Sequence, residues 1–347
     1  MTRPSARARL AALVAAALVT LTACGPTGSD SEAVDPTSRP VYPEVTNYPD
    51  IPVIADIPYG TADGEPLLLD ACFPGDADID DPGSPPRPAI VVIHGGSWKH
   101  GDKANLNWRS TCQWFASEGF VAVSVNYRLV PTATFPAQLD DVQNAVRWLR
   151  DPAQVERYNL DPDRIGAFGG SAGGNLAALL GTVGSGSWTE DARVAAVAEL
   201  SGPVDLREAI PTTDSYNEDF GEVVLEYLGC ASYEGCPGAA KASPVFLADE
   251  TDPPFFVGHS SEEFIPISQS TEFVKALRGQ GIDTTFVTVE GTLHSIAMLD
   301  DDMRARVIEF FRAALGPDPF EATPDPLGGT PEPATPEPLP TATDPAG

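Results

Sequence analysis

The stretch Arg164-Ile165-Gly166-Ala167-Phe168-Gly169-Gly170-Ser171-Ala172-Gly173-Gly174-Asn175-Leu176-Ala177 decides the fold. It reads as a short buried strand from Ile165 to Phe168, a glycine-rich corner, and a helix of small residues from Ala172 onward. Gly169, Ser171 and Gly173 form a G-x-S-x-G pattern, in which a serine is held on a strained strand-to-helix turn. A turn that sharp crowds the positions two before and two after the serine, where only a residue without a Cβ fits. Such a serine points its hydroxyl out at the upper edge of a sheet, beneath the positive end of the new helix. Taken alone, Gly-Ser-Ala-Gly also suits a flexible turn, so the rest of the chain has to supply the serine's neighbours.

Outward from this corner, strand patterns alternate with helical ones. Val53 to Tyr59 and Leu67 to Phe73 read as opening strands, with Thr61-Ala62-Asp63-Gly64 as the turn between them. Ala89-Ile90-Val91-Val92-Ile93 is a continuous apolar run, as in a strand covered on both faces. Phe120 to Val125 is the next strand, with a helix from Asn105 to Ser117 between the two. Leu139, Val142, Val146 and Leu149 fall on one helical face, and so do Met303, Val307, Phe311 and Leu315. Val194 to Leu200, Phe255 to Val257 and Thr284 to Val289 complete the strand set. Strands and helices in alternation predict an α/β domain with a mostly parallel sheet and helices on both faces. The connection from Asp205 to Asp252 is too long to be bare, and reads as a small cap insertion with a helix near Glu218 to Tyr227.

The ends of the chain read differently. Residues 1–23 carry Arg3, Arg7 and Arg9, then an apolar run from Leu10 to Leu21 and small residues, the pattern of a secretory signal. Leu21-Thr22-Ala23-Cys24 resembles the lipobox of bacterial lipoproteins, which implies cleavage before Cys24, its lipidation, and an anchor on the outer face of the membrane. A plain secretion signal with Cys24 as an ordinary thiol is the alternative. Residues 24–51 are a Pro/Thr/Ser/acidic tether and residues 317–347 a similar tail, both expected to be disordered; residues 52–316 suit a single domain. The net charge of −29 argues against a nucleic-acid partner, which needs clustered Lys and Arg, and weighs against polyanionic substrates.

With Cys24 set aside, Cys72, Cys112, Cys230 and Cys236 remain. An even number in an exported chain favours two disulfides among three possible pairings. Cys230 with Cys236 is the local staple, and Cys72 with Cys112 follows. No histidine stands at ligand spacing beside these cysteines, so zinc is disfavoured, and no metal or cofactor is expected.

Three motifs now stand in order. His94-Gly95-Gly96-Ser97-Trp98 directly follows a buried strand; Tyr127-Arg128-Leu129-Val130-Pro131 and Phe135-Pro136-Ala137-Gln138-Leu139-Asp140-Asp141-Val142 come next; the serine corner is third. Together these resemble the α/β-hydrolase fold with its eight-stranded sheet. Within that fold they resemble the esterases and lipases with an HGG oxyanion motif: hormone-sensitive-lipase-like carboxylesterases, and secreted esterases that remove acetyl or feruloyl groups from polysaccharide. The resemblance spans nearly the whole core. It implies Ser171 as nucleophile, and the amides of Gly95, Gly96 and Ala172 as oxyanion donors. The two glycines can approach a developing oxyanion closely because neither carries a side chain. His94 reads as a residue that fixes this loop. Trp98 suits either a cleft wall or the interior.

In this fold the order is serine, acid, histidine. Of the four histidines, His294 follows the strand ending at Val289 through Glu290-Gly291-Thr292-Leu293 and precedes the last helix, the family's position for the base. Related esterases end a strand in His-Gly-x-x-Asp, with Val-Pro shortly after. Here the matching stretch is Gly258-His259-Ser260-Ser261-Glu262-Glu263-Phe264-Ile265-Pro266, and counting back from Pro266 puts Glu262 where the acid belongs. Solvated loop charges are the other reading of Glu262 and Glu263, and His259 reads as loop packing. The expected activity is cofactor-free cleavage of a small-molecule or polysaccharide-linked ester through Ser171, His294 and Glu262. Amidase, formamidase or peptidase chemistry on the same fold remains open, as does a non-catalytic surface lipoprotein that keeps the fold as a binding module.

Overall fold

The chain opens, in a computed structural model that describes residues 47–75, 85–212 and 219–316, with a hairpin. Strands β1 (Val53–Ala62) and β2 (Glu65–Cys72) pair antiparallel around Asp63-Gly64, whose φ values of 53° and 87° are those a two-residue hairpin turn demands. From there β3 (Arg87–Ile93), α1 (Leu106–Ser117), β4 (Val121–Val125) and α2 (Ala137–Arg150) follow. Next come α3 (Pro152–Tyr158), β5 (Leu160–Gly170), α4 (Ala172–Thr182), β6 (Ala196–Leu200) and α5 (Phe220–Leu228). The series closes with β7 (Phe255–Ser260), α6 (Ser268–Gly279), β8 (Thr284–Val289) and α7 (Asp301–Leu315).

The strands form one eight-stranded sheet in the order β1-β2-β4-β3-β5-β6-β7-β8. Only β2 runs against the rest, antiparallel to both β1 and β4; from β4 to β8 all pairs are parallel. The fold is thus the mostly parallel α/β sheet that the alternation of patterns predicts. Every residue of β3 is buried, and its side chains divide between two cores. Ala89, Val91 and Ile93 pack with Leu139 and Val146 of α2, Leu176 of α4 and Phe273 of α6. Ile90 and Val92 pack with Phe115 of α1 and with Val307 and Phe311 of α7. Helices therefore cover both faces, as a sheet without a polar side requires.

Several elements differ from the sequence reading. α3 and α6 are additional helices, and β5 starts at Leu160, which pairs with Arg87, rather than at Ile165. The expected signal segment, Cys24, most of the expected tether and the C-terminal tail lie outside the described residues. The last tether residues are held against α1, where Gln113 Nε2 donates to the carbonyls of Tyr48 (3.1 Å) and Ile51 (3.2 Å). Among the described residues no helix is long and apolar enough to cross a membrane.

Both disulfides join the pairs expected. Cys72 at the end of β2 is bonded to Cys112 in α1, and Cys230 to Cys236 just after α5. The segment between β6 and β7 carries α5 as its one α-helix among the described residues. It lies on the HGG loop: Tyr227 stacks on Trp98 with ring centroids 4.0 Å apart. That contact leaves Trp98 with no exposed surface, so of its two readings the interior one holds.

Candidate active site

The carboxyl ends of β3, β5, β7 and β8 converge on one place, the side of a parallel sheet where such folds collect their functional groups. Ser171 stands between β5 and α4 with φ 58° and ψ −125°, a backbone conformation that costs a non-glycine residue energy. Its neighbours hold it there. Ser171 N–H donates to Leu200 O (2.8 Å), and Asn175 N–H donates to Ser171 O (3.0 Å). The flanking glycines are sterically required. A Cβ at Gly169 would stand 2.1 Å from Gly173 O, and one at Gly173 would stand 2.1 Å from Ile93 O.

The HGG loop lies alongside. A Cβ on Gly95 would come within 2.8 Å of Gly170 O and 3.2 Å of Ser171 Cβ, so the loop backbone touches the serine turn directly. Gly96 has φ 118° and would place a Cβ 2.2 Å from His100 O. Among the described residues, the amides of Gly95 and Gly96 donate to no backbone carbonyl. Ala172, buried at the first position of α4, adds a third amide at the positive end of that helix. His94 is fully buried. Its Nδ1–H donates to Gly95 O (2.8 Å), and its ring stacks on Tyr127, whose hydroxyl donates to His94 O (2.9 Å). Burial pushes its pKa down, so His94 is a neutral brace for this loop.

His294 reaches the serine from the far side. Ser295 N–H donates to Ser201 Oγ (3.0 Å), and Ser295 Oγ lies so close to Gly170 that a Cβ there would be 2.0 Å away. The residues next to His294 and next to Ser171 are therefore in contact. The ring of Phe264 leans against His294 with centroids 4.4 Å apart. His294 Nδ1 is hydrogen-bonded to Glu263 Oε2, whereas Nε2 is buried and without a hydrogen-bond partner. A carboxylate only accepts, so Nδ1 carries a hydrogen, and in the neutral ring Nε2 presents a lone pair. Ser171 Oγ and His294 Nε2 are not hydrogen-bonded to each other, a looseness common in the absence of substrate.

The acid expected at Glu262 is corrected by this geometry: the carboxylate beside His294 is Glu263. Glu262 N–H donates to Gly291 O (2.9 Å), which ties its backbone to the loop after β8 while its side chain is exposed. The next side chain consequently turns inward, and Glu263 is buried. Burial alone would raise its pKa, but the adjoining imidazoles of His259 and His294 outweigh that and hold it near 2. His259 is likewise buried in β7 and is not loop packing.

Sequence reasoning also passed over Glu199. It sits fully buried in β6, its Oε2 accepting from Gly202 N–H at 2.7 Å, and burial pushes its pKa up to about 8. A charged residue inside an otherwise apolar strand, Ala196-Val197-Ala198-Glu199-Leu200, is the signal that could have found it. Among the described residues, no group of three or more His, Cys, Asp or Glu side chains is placed to hold a metal ion.

The chain matches the model of the BD-FAE family over residues 78–277. It is 30% identical over 301 residues to the esterase LipQ of Mycobacterium tuberculosis, covering 82% of this chain and 67% of that protein. Esterase LipC of the same organism is 29% identical over 225 residues, covering 62% of this chain and 54% of its own length. Among solved structures, a thermophilic esterase of Thermogutta terrifontis shares the fold with a TM-score of 0.61 and 24% identity, over 81% of this chain and 97% of that one.

Proposed function

This chain belongs to the BD-FAE family and to the esterases of the α/β-hydrolase fold, and from that premise we propose that it hydrolyses carboxylic esters with Ser171, His294 and Glu263 as its triad. The observation that carries the triad is the pair of His294 and buried Glu263, with a free Nε2 beside the serine turn. Ser171 Oγ attacks the ester carbonyl as Nε2 takes its proton. The tetrahedral oxyanion is received by the amides of Gly95, Gly96 and Ala172, each donor being worth about 100- to 1,000-fold in rate. His294 then returns the proton to the departing alcohol, leaving an acyl-enzyme on Ser171. Water, deprotonated by the same nitrogen, releases the acid. Glu263 keeps the imidazole in the Nδ1–H tautomer and balances its charge when Nε2 is protonated.

No cofactor takes part in this scheme. The substrate is a neutral ester, on a small molecule or attached to a polysaccharide, in keeping with the net charge of −29. The protein is held at the outer face of a membrane through a lipid on Cys24, a reading supported by the charged, apolar and small-residue segments before that cysteine.

The test is turnover of nitrophenyl acetate together with labelling by a fluorophosphonate. Ser171→Ala is expected to keep its thermal transition and lose both turnover and label. Glu263→Gln presents an amide nitrogen to Nδ1 and is expected to lose about 100- to 10,000-fold in kcat, with Glu262→Gln within a few-fold of wild type. Label retained on Ser171→Ala moves the nucleophile elsewhere, and equal small losses at the two glutamates remove the acid from this loop.

A further inference from the structure

Two imidazoles approach one carboxylate. Glu263 Oε2 is bonded to His294 Nδ1, and its other oxygen, Oε1, lies 3.0 Å from His259 Nε2. His259 has no exposed surface and no route to substrate. It is held from two sides. Its Nε2–H donates to Ile265 O at 2.9 Å, and its Nδ1 is bonded to Ser270 Oγ of α6 at 2.7 Å. Both neighbours of Nε2 are acceptors, so that nitrogen carries a hydrogen, and Glu263 Oε1 rests against it.

Resting on the reading of Glu263 as the acid, we propose that His259 is a positioning residue that fixes Glu263 for His294. The need for one follows from the side chain. Glutamate has one more rotatable bond than aspartate, and a single hydrogen bond leaves its carboxyl free to swing about the Nδ1–H direction. Contact at the second oxygen removes that freedom, and the ring that makes the contact is pinned by Ser270 and Ile265. A line of contacts thus runs from α6 through Ser270, His259 and Glu263 to His294. The charge distribution agrees. Glu263 stays ionised although buried; burial works against protonation of His259, yet the adjoining Glu263 raises its pKa. The other titratable group facing this cluster is Glu199.

The test is a double-mutant cycle with kcat and KM read separately on nitrophenyl acetate. His259→Leu removes the contact, and His259→Gln keeps a nitrogen donor near the Nε2 position. The leucine variant is expected to lower kcat about 10- to 100-fold with KM within about two-fold, and glutamine to recover to within about five-fold of wild type. In a Glu263→Gln background, His259→Leu is expected to cost nothing further, because its effect passes through the carboxylate. Should the leucine variant not fold, His259→Asn replaces it; its amide reaches only toward Ser270, so it should lose activity where glutamine does not. A costly Glu263→Gln beside a silent His259→Leu or His259→Asn overturns this inference alone. Equal losses for His259→Gln and whichever variant lacks the Nε2 donor, or losses that multiply with Glu263→Gln, overturn it too. A silent Glu263→Gln overturns instead the assignment of the acid on which it rests.

Discussion

Glu199 is a carboxyl group that the fold keeps protonated. Its folded pKa of about 8 stands against an ordinary value of 4.5, because burial disfavours the charged form. Between those two pH values the folded chain holds a proton that the unfolded chain has released. Stability therefore falls as pH rises from 4.5 to about 8 and levels off beyond. Glu263 acts in the opposite sense: its contribution is present above 4.5 and is lost as pH falls toward 2. Glutamine resembles the neutral acid, so Glu199→Gln should raise the Tm by several degrees at pH 8, with the gain vanishing near pH 4.5. A gain that is the same at every pH would show that Glu199 is not neutral in the fold. At this scale the sequence was legible where chemistry and spacing coincide, as at Ser171 in its glycine frame. It misled where residues had to be counted across a loop. Glu262 and Glu263 are the same residue type side by side, and the contacts that separate them, Glu262 N–H to Gly291 O and Glu263 to His294, exist only in the fold. Glu199 went unread and His259 was read as loop packing, although their partners are near in sequence: Gly202 for the one, Glu263 and Ile265 for the other. Only the fold shows that both side chains are buried.

The two disulfides brace different elements, and their loops differ in length. Cys72–Cys112 closes a separation of 40 residues and ties β2 to α1; Cys230–Cys236 closes only 6 within the segment over the HGG loop. On the chain-entropy account, removing the first as a Cys72→Ala, Cys112→Ala pair should cost about 4 kcal/mol in urea unfolding, and the second about 2 kcal/mol. Equal costs, or a larger one for the short loop, would contradict that account. Strands that are buried on both faces announce themselves by composition, as at Ala89 to Ile93, and the amphipathic α2 and α7 do so by period. α3 escaped because it is seven residues long with one buried side chain, Tyr158. α6 carries the helical period, with Ser270, Phe273, Val274 and Leu277 buried on one face, and was legible but passed over. The first half of β5 is polar, Asp161 to Arg164, and is strand only because β3 offers it a partner.

For the whole molecule, the proposed anchor and the catalytic domain are separate pieces of chain. Cys24→Ser should move the protein from the membrane fraction to the soluble one without lowering turnover. Fractionation of expressing cells decides it, and a variant that sediments with membranes as wild type does would refute lipidation at Cys24. The class of fold was readable because the alternation of patterns extends along the entire core, so local errors at α3, α6 and β5 did not alter it. The catalytic constellation was less readable because it is assembled from four strand ends. Their meeting depends on contacts such as Ser295 with Ser201 and with Gly170.

That assembly also sets a timetable. The proposed nucleophile, acid and base lie along the chain in the order Ser171, Glu263, His294, and β8, which delivers the base, is the last strand and sits at the rim of the sheet. A polypeptide still being synthesised can bend its serine turn as soon as β3, β5 and β6 have met. On the proposed assignment it has no base until β8 has paired with β7 and the loop that follows has brought His294 beside the Gly170 turn. Until then Ser171 is expected to be an ordinary alcohol, and the half-made chain inert toward esters.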